Sequence, residues 1–278
     1  MKHNLDIQTF NKIKKIFEIK SWETNDDQKS LFMRTCRTLK LLDNNEQEVF
    51  LQLLDMMEYY TISDYESLLI TVLKKMLKQM KVNKFYFSPI ISNRKNNDIK
   101  SSLLVNYLLK SNSFHYDSDL SNMKMILQID LTKTKINKVN ETDSYLVLVD
   151  DFIGTGSSAI KSAKYFINRG VDREKIIILS LVTMNKGKEN IFEKGFKFFF
   201  ATESLSLSEK IDLHKIEDND IFRKNIEIIS KKLGVDTKDF WGFENSEAVL
   251  SMVRVPNNTI GAFWKGKKKD NIPFPRFS

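Results

Sequence analysis

The sequence predicts an α/β fold, a parallel sheet flanked by helices, with a helical extension before it and a C-terminal segment, read as a hood, after it. Three observations carry this. Strand-like runs alternate with helical ones from Lys84 onward. Those strand-like runs are apolar at successive rather than alternate positions, as in strands covered on both faces. All 9 glycines lie at or after Gly154, and the first two bracket the turn after the most apolar run.

Residues 1–82 read as helices. LDIQTFNKIKKIFEI, DDQKSLFMRTCRTLKLL and NEQEVFLQLLDMMEYY repeat apolar residues at spacings of three and four, and a fourth helix opens with Ser63-Asp-Tyr-Glu66, a capping-box pattern. This stretch carries no recognisable chemistry, and its expected task is to pack against the α/β core, to dimerise it or to regulate it. Residues 83–202 form that expected core. KFYFSPI reads as a strand, IKSSLLVNYLLKS as a helix, MKMILQIDL and YLVLVDD as strands, and SSAIKSAKYFINRG as a helix closed by Gly170. KIIILSLVTM, ENIFEKG and FKFFFAT complete the core as strand, short helix and strand. Residues 203–278 are less regular: a helix over DIFRKNIEIISKKLG, then a pair of short strands near EAVLSMVRV and IGAFW.

Composition excludes several classes. With 278 residues, 41% of them hydrophobic, the chain is long enough to bury a substantial core. No apolar run approaches the ~18 residues of a membrane span, the opening MKHNLDIQ is not a signal peptide, and the lone Cys36 offers no intrachain disulfide, so a cytoplasmic protein is expected. The net charge of +8 suits an anionic partner without choosing between phosphorylated metabolites and nucleic acid. No nucleic-acid-reading motif accompanies it, and the Lys265–Lys269 cluster reads as a solvated basic tail. The sequence has no P-loop, zinc spacing or G-x-S-x-G, and His3, His115 and His214 stand apart.

One segment concentrates chemistry: Tyr145-Leu-Val-Leu-Val-Asp150-Asp151-Phe-Ile-Gly154-Thr155-Gly156-Ser157-Ser158-Ala159. A strand ends in two carboxylates, turns through glycines and hydroxyls, and enters a helix. Backbone N–H groups and hydroxyls at a helix N-terminus suit a phosphate monoester. Carboxylates beside them can accept hydrogen bonds from sugar hydroxyls, and together these are the needs of a ribose 5-phosphate. Gly154-x-Gly156-x-x-Ala159 also satisfies the dinucleotide pattern, but the next strand ends SLVTMNKG without the acid that an adenine ribose requires. An inert strand–turn–helix with one aspartate as N-cap is the structural alternative.

The run resembles the signature of type I phosphoribosyltransferases: a hydrophobic strand, two acids, two or three variable residues, then Thr-Gly-x-Thr. The resemblance implies that Asp150 and Asp151 are the catalytic acids, holding the ribose hydroxyls of phosphoribosyl pyrophosphate and meeting Mg²⁺ indirectly, through those hydroxyls or water. It implies that Gly154, Thr155, Gly156, Ser157 and Ser158 bind the 5-phosphate. Ser158 departs from the usual threonine but keeps the hydroxyl. The loop after the first strand of this fold binds pyrophosphate in the family; here it is Ser88–Lys95, and Arg94, Lys95 and Lys100 are the candidate cations. It lacks the glycine the family often uses, and solvated loop charges are the alternative for each cation.

The stretch Phe240–Val249 and Pro256–Trp264 resembles a divergent group of phosphoribosyltransferase-like proteins associated with bacterial conflict and defence. There Trp241 and Trp264 read equally as core or as nucleobase-facing. The expectation is a phosphoribosyltransferase that transfers, or hydrolyses to, ribose 5-phosphate, as an effector in bacterial defence, with its acceptor unassigned. A non-catalytic sensor that signals through a protein partner or a homodimer of residues 1–82 is the alternative, and nucleic-acid binding a third.

Overall fold

The computed structural model describes residues 5–24, 27, 29–91 and 100–276, with His115 as backbone only. Along the chain the helices and strands run α1 (Ile7–Ile19), α2 (Leu31–Leu39), α3 (Asn44–Met56), β1 (Glu58–Tyr59), α4 (Ile62–Gln79), β2 (Lys84–Pro89), α5 (Ser101–Leu108), α6 (Ser113–Tyr116) and β3 (Lys124–Leu127). They continue with α7 (Lys133–Glu141), β4 (Ser144–Ile153), α8 (Ser157–Asn168), β5 (Ile176–Met184), α9 (Asn185–Glu193), β6 (Lys197–Ser204), α10 (Leu207–Leu213), α11 (Asn219–Leu233) and β7 (Leu250–Ser251). The chain divides into two compact units, residues 60–204 and a discontinuous unit of residues 1–59 and 205–278.

The α/β unit holds a five-stranded sheet in the order β3-β2-β4-β5-β6, every pair parallel. All nine residues of β5 are buried, as expected of a central strand covered on both faces. Alternation along the strands assigns the faces. Leu146, Leu148, Ile176, Ile178 and Phe198 join one core with Ile136 and Val139 of α7, Ala159, Ala163 and Phe166 of α8, and Ile191 of α9. The intervening residues Val147, Val149, Ile177 and Leu179 are equally buried, on the face that receives α4 and α5. The sheet class is therefore the one the alternation of apolar runs predicts.

Details differ from the sequence reading. β4 does not stop at the aspartates but pairs with β5 as far as Ile153 opposite Thr183, because the aromatic Phe152 and β-branched Ile153 find buried places on the sheet. α7, unread in the sequence, is capped by the Thr132 side chain. The capping box of α4 is Thr61 with Asp64, two residues before the expected Ser63: the Asp64 carboxylate accepts from Thr61 N–H at 2.7 Å and from its hydroxyl at 2.8 Å.

The domain reading of residues 1–82, 83–202 and 203–278 meets a different grouping. α4 packs on β5 and β6 within the α/β unit, whereas residues 205–278 share a core with α1–α3. In that second unit edge-on aromatic contacts link Phe10, Phe32, Phe17, Trp22, Tyr59, Phe274 and Phe263. Leu250–Ser251 pairs with Glu58–Tyr59 rather than with the stretch IGAFW, where Gly261–Phe263 is a short 3-10 turn. Trp264 is core: it is buried and its indole N–H donates to the Thr259 carbonyl at 2.8 Å. Lys265 is not a solvated tail residue, since its ammonium pairs with Asp239 at 2.6 Å and lies over the Trp264 ring. No described helix is long and apolar enough to cross a membrane.

Phe166 is wholly buried between α8 and the sheet, with Tyr165 edge-on at 5.1 Å. Phe166→Ala is expected to cost the α/β unit about 3–5 kcal/mol, read by chemical denaturation.

Candidate functional site

The candidate site lies where the parallel strands end at their carboxyl termini, the edge at which open α/β sheets bind ligands. β4 delivers Asp150 and Asp151, the chain turns through Gly154–Gly156, and α8 begins at Ser157. Gly156 takes φ +78°, a left-handed conformation that a side chain resists and glycine accepts freely.

Anchoring from the neighbouring elements sets the orientation of this turn. The Ile153 carbonyl accepts from the Thr183 hydroxyl at 3.2 Å. The Thr155 carbonyl accepts from the Asn190 side-chain amide at 2.9 Å. Between them, the Gly154 carbonyl abuts Gly187, so closely that a Cβ there would sit 2.7 Å from the oxygen. A trans peptide points its N–H opposite to its C=O. Three carbonyls turned toward β5 and α9 therefore turn the N–H groups of Gly154, Thr155 and Gly156 the other way. The amides of Ser157, Ser158 and Ala159 precede the first intrahelical bond of α8, which runs from Ile160 N–H to the Gly156 carbonyl at 3.0 Å. The Thr155 hydroxyl, 5% exposed as a residue, donates to the Ser157 hydroxyl at 3.2 Å, and Ser158 is exposed. The result is a set of backbone donors at the positive end of a helix, an arrangement with the chemistry to accept an anion of phosphate size.

The two acids have distinct surroundings. Asp151 is 4% exposed, and each oxygen accepts a hydroxyl: Oδ2 from Tyr65 of α4 at 2.8 Å, Oδ1 from Ser101 of α5 at 2.7 Å. Asp150 has no such hydroxyl donor among the described residues; its Oδ1 accepts from the Asp151 N–H at 3.0 Å. Although part of the residue's surface remains accessible, enclosure of the carboxyl, reinforced by the adjacent Asp151 charge, holds it well above the usual carboxylate range. The two neighbours thus differ: Asp151 is fixed as an acceptor by two hydroxyls, whereas Asp150 is held toward its protonated form by its enclosure and its neighbour.

Of the other residues singled out in the sequence, Lys100 occupies the position before α5, directly preceding Ser101. Arg94 and Lys95 lie outside the described residues. Sequence reasoning missed Tyr65, Gly187 and Asn190. A glycine opening a helix signals close backbone approach, and Gly187 was legible on that ground. Tyr65 has no local signal, since an aromatic residue on the buried face of a helix reads simply as core. No group of three or more His, Cys, Asp or Glu is placed to hold a metal among the described residues.

The PRTase-CE family model matches residues 37–276 of the chain. A curated relative, uracil phosphoribosyltransferase 2 of Schizosaccharomyces pombe, is 33% identical over 63 residues, which span 23% of this chain and only 29% of that protein. Among solved structures, orotate phosphoribosyltransferase from Aeropyrum pernix matches with a TM-score of 0.33 and 18% identity over 55% of this chain and 74% of its own. The APRTase from Giardia lamblia in complex with 9-deazaadenine matches at 0.34 and 16%, over 51% and 83%.

The packing of the turn and the state of its acids each set a measurable outcome. In an ordinary helix Gly→Ala gains about 1 kcal/mol, but Gly187→Ala drives a methyl into the Gly154 carbonyl and is expected to lower the melting temperature. Asp150 behaves oppositely. A carboxyl raised in the folded state binds more protons than in the unfolded chain, so the ionised form costs stability that grows as pH rises from the ordinary carboxylate range through the raised value. Asp150→Asn is expected to raise the melting temperature at neutral pH, with the gain vanishing below about pH 4, as scanning calorimetry against pH will record.

Proposed function

This chain belongs to the PRTase-CE family, and we propose that its α/β unit binds phosphoribosyl pyrophosphate with Mg²⁺ and transfers the phosphoribosyl group, to an acceptor or to water. Family membership supports phosphoribosyl transfer in general terms. The ligand, the metal and the residue roles are our reading, and the observation that carries it is the anchored strand–loop–helix from Asp150 to Ser158.

In this reading the amides of the Gly154–Ser158 turn and the Thr155, Ser157 and Ser158 hydroxyls hold the 5-phosphate. Asp151 accepts from the ribose hydroxyls. A carboxylate offers about four acceptor positions, so the bonds from Tyr65 and Ser101 leave room for a sugar. Asp150 lies beside it, able to accept or to hold a proton. Lys100, together with Arg94 and Lys95, is proposed for the pyrophosphate. Asp150 and Asp151 are proposed to meet Mg²⁺ indirectly, through the ribose hydroxyls or water, as suits an ion that keeps several waters and substrate phosphates in its shell. When bound, Mg²⁺ neutralises charge on the pyrophosphate as it leaves. The chain's own part is to fix the ribose so that the anomeric carbon meets its nucleophile in line, and to keep donors aimed at the developing charge.

A non-catalytic sensor is the second reading. It is favoured by the absence of glycine from Ser88–Lys95, where close approach to a pyrophosphate ordinarily needs one. A role in bacterial defence, which the C-terminal resemblance suggests, suits either reading.

Calorimetric titration of Mg²⁺–phosphoribosyl pyrophosphate into the wild type and into Asp150→Asn/Asp151→Asn tests the proposal. Saturable binding to the wild type, weakened at least about 100-fold in the double variant, is expected. Release of pyrophosphate on incubation marks the enzyme, and binding without release marks the sensor. A folded wild type that does not bind removes the proposal.

A further inference from the structure

The Asp151 carboxylate is held from two elements, and one of them, α4, lies in the part of the sequence that carries no recognised motif. Tyr65 is wholly buried, and its hydroxyl donates to Asp151 Oδ2 at 2.8 Å. Ser101 takes the other oxygen at 2.7 Å. One donor on each oxygen fixes the rotation of the carboxylate plane, a torsion that is otherwise soft. Both donors are themselves immobilised. Ser101 opens α5, whose next residue, Ser102, donates to the Ile90 carbonyl at 2.9 Å. Tyr65 sits one residue after Asp64, which closes the capping box of α4. A buried carboxylate held between two hydroxyls, with acceptor capacity left over, is built to present its remaining lone pairs in one direction.

We infer that Tyr65 and Ser101 are positioning residues, which act through Asp151 to aim its carboxylate at the vicinal hydroxyls of a bound ribose. This rests on the phosphoribosyl reading above and deepens it. It makes α4 part of the site, and it divides ligand recognition into two independent halves. The turn at Gly154–Ser158 takes the phosphate, and the Tyr65–Asp151–Ser101 triad takes the sugar. The division yields a signature that general damage to the fold does not share.

The experiment measures two ligands against a short series of proteins. Mg²⁺–phosphoribosyl pyrophosphate and inorganic phosphate are titrated into the wild type, Tyr65→Phe, Ser101→Ala and Ser101→Thr. Tyr65→Phe keeps the buried ring and removes only the oxygen. It is expected to weaken the sugar ligand about tenfold, the scale of one hydrogen bond to a charged group, and to leave inorganic phosphate unchanged. Ser101→Ala is expected to do the same, and Ser101→Thr, which restores the hydroxyl, to recover most of the loss. Tyr165→Phe, which removes a hydroxyl bonded to Asp130 at 2.9 Å, is the control and is expected to leave both affinities as they are. Equal weakening of both ligands in Tyr65→Phe and Ser101→Ala overturns the inference in favour of a structural role. Unchanged affinity for the sugar ligand in those variants overturns it while the phosphoribosyl reading stands. A wild type that binds neither ligand overturns both.

Discussion

Three successive carbonyls, from Ile153 to Thr155, are turned toward β5 and α9, and the candidate site depends on that constraint. Thr183 and Asn190 anchor two of them by hydrogen bonds, and Gly187 admits the third by having no side chain. Since a peptide plane carries its donor opposite its acceptor, anchoring the carbonyls is the same act as aiming the amides. The glycines of the turn are thus necessary but not sufficient. The direction of the donors is set from outside the motif, by the next strand and the helix after it. An array of dipoles stabilises an anion best when it needs no reorganisation as charge arrives, and anchoring from β5 and α9 is the kind of support that limits such reorganisation.

The acid pair shows how neighbouring identical residues acquire different chemistry. Asp150 and Asp151 stand side by side on one strand, yet only the second is met by hydroxyls. Enclosure and its neighbour's charge push Asp150 toward the protonated form, while Tyr65 and Ser101 clamp Asp151. Like charges at adjacent positions in a partly enclosed site resist joint ionisation, and the surroundings decide which of the two yields.

Much of the α/β unit was legible because its strands are apolar on both faces and its helices are amphipathic. The runs at Lys84–Pro89, Lys124–Leu127, Ile176–Met184 and Lys197–Ser204 could be read directly for that reason. The motif from Asp150 to Ser158 was legible because its chemistry is local. Helix α7 was not, since Lys133–Glu141 is mostly polar and buries only Ile136 and Val139. Nor was the grouping of residues 1–59 with 205–278, because pairing between distant segments leaves no periodic trace in either. Tyr65 was illegible for a related reason: the partner of its hydroxyl lies 86 positions away in the chain. Trp264, left open between core and ligand contact, is decided by burial and by its bond to the Thr259 carbonyl.

The discontinuous unit has a consequence for the protein's synthesis. β1 at Glu58–Tyr59 has its partner at Leu250–Ser251, ~190 residues later, and the rings of Phe17, Phe32 and Phe50 share a core with Phe263 and Phe274. At ribosomal speeds of about 5–20 residues per second, that partner emerges roughly 10–40 seconds after β1. The α/β unit ends at residue 204, so it has every residue it needs only for the last ~46 residues of that interval, while α1–α3 still carry an aromatic surface without its cover. The nascent chain therefore passes through a stage with one completed domain and one apolar, unfinished helical face, the kind of surface that chaperones shield and that aggregation exploits.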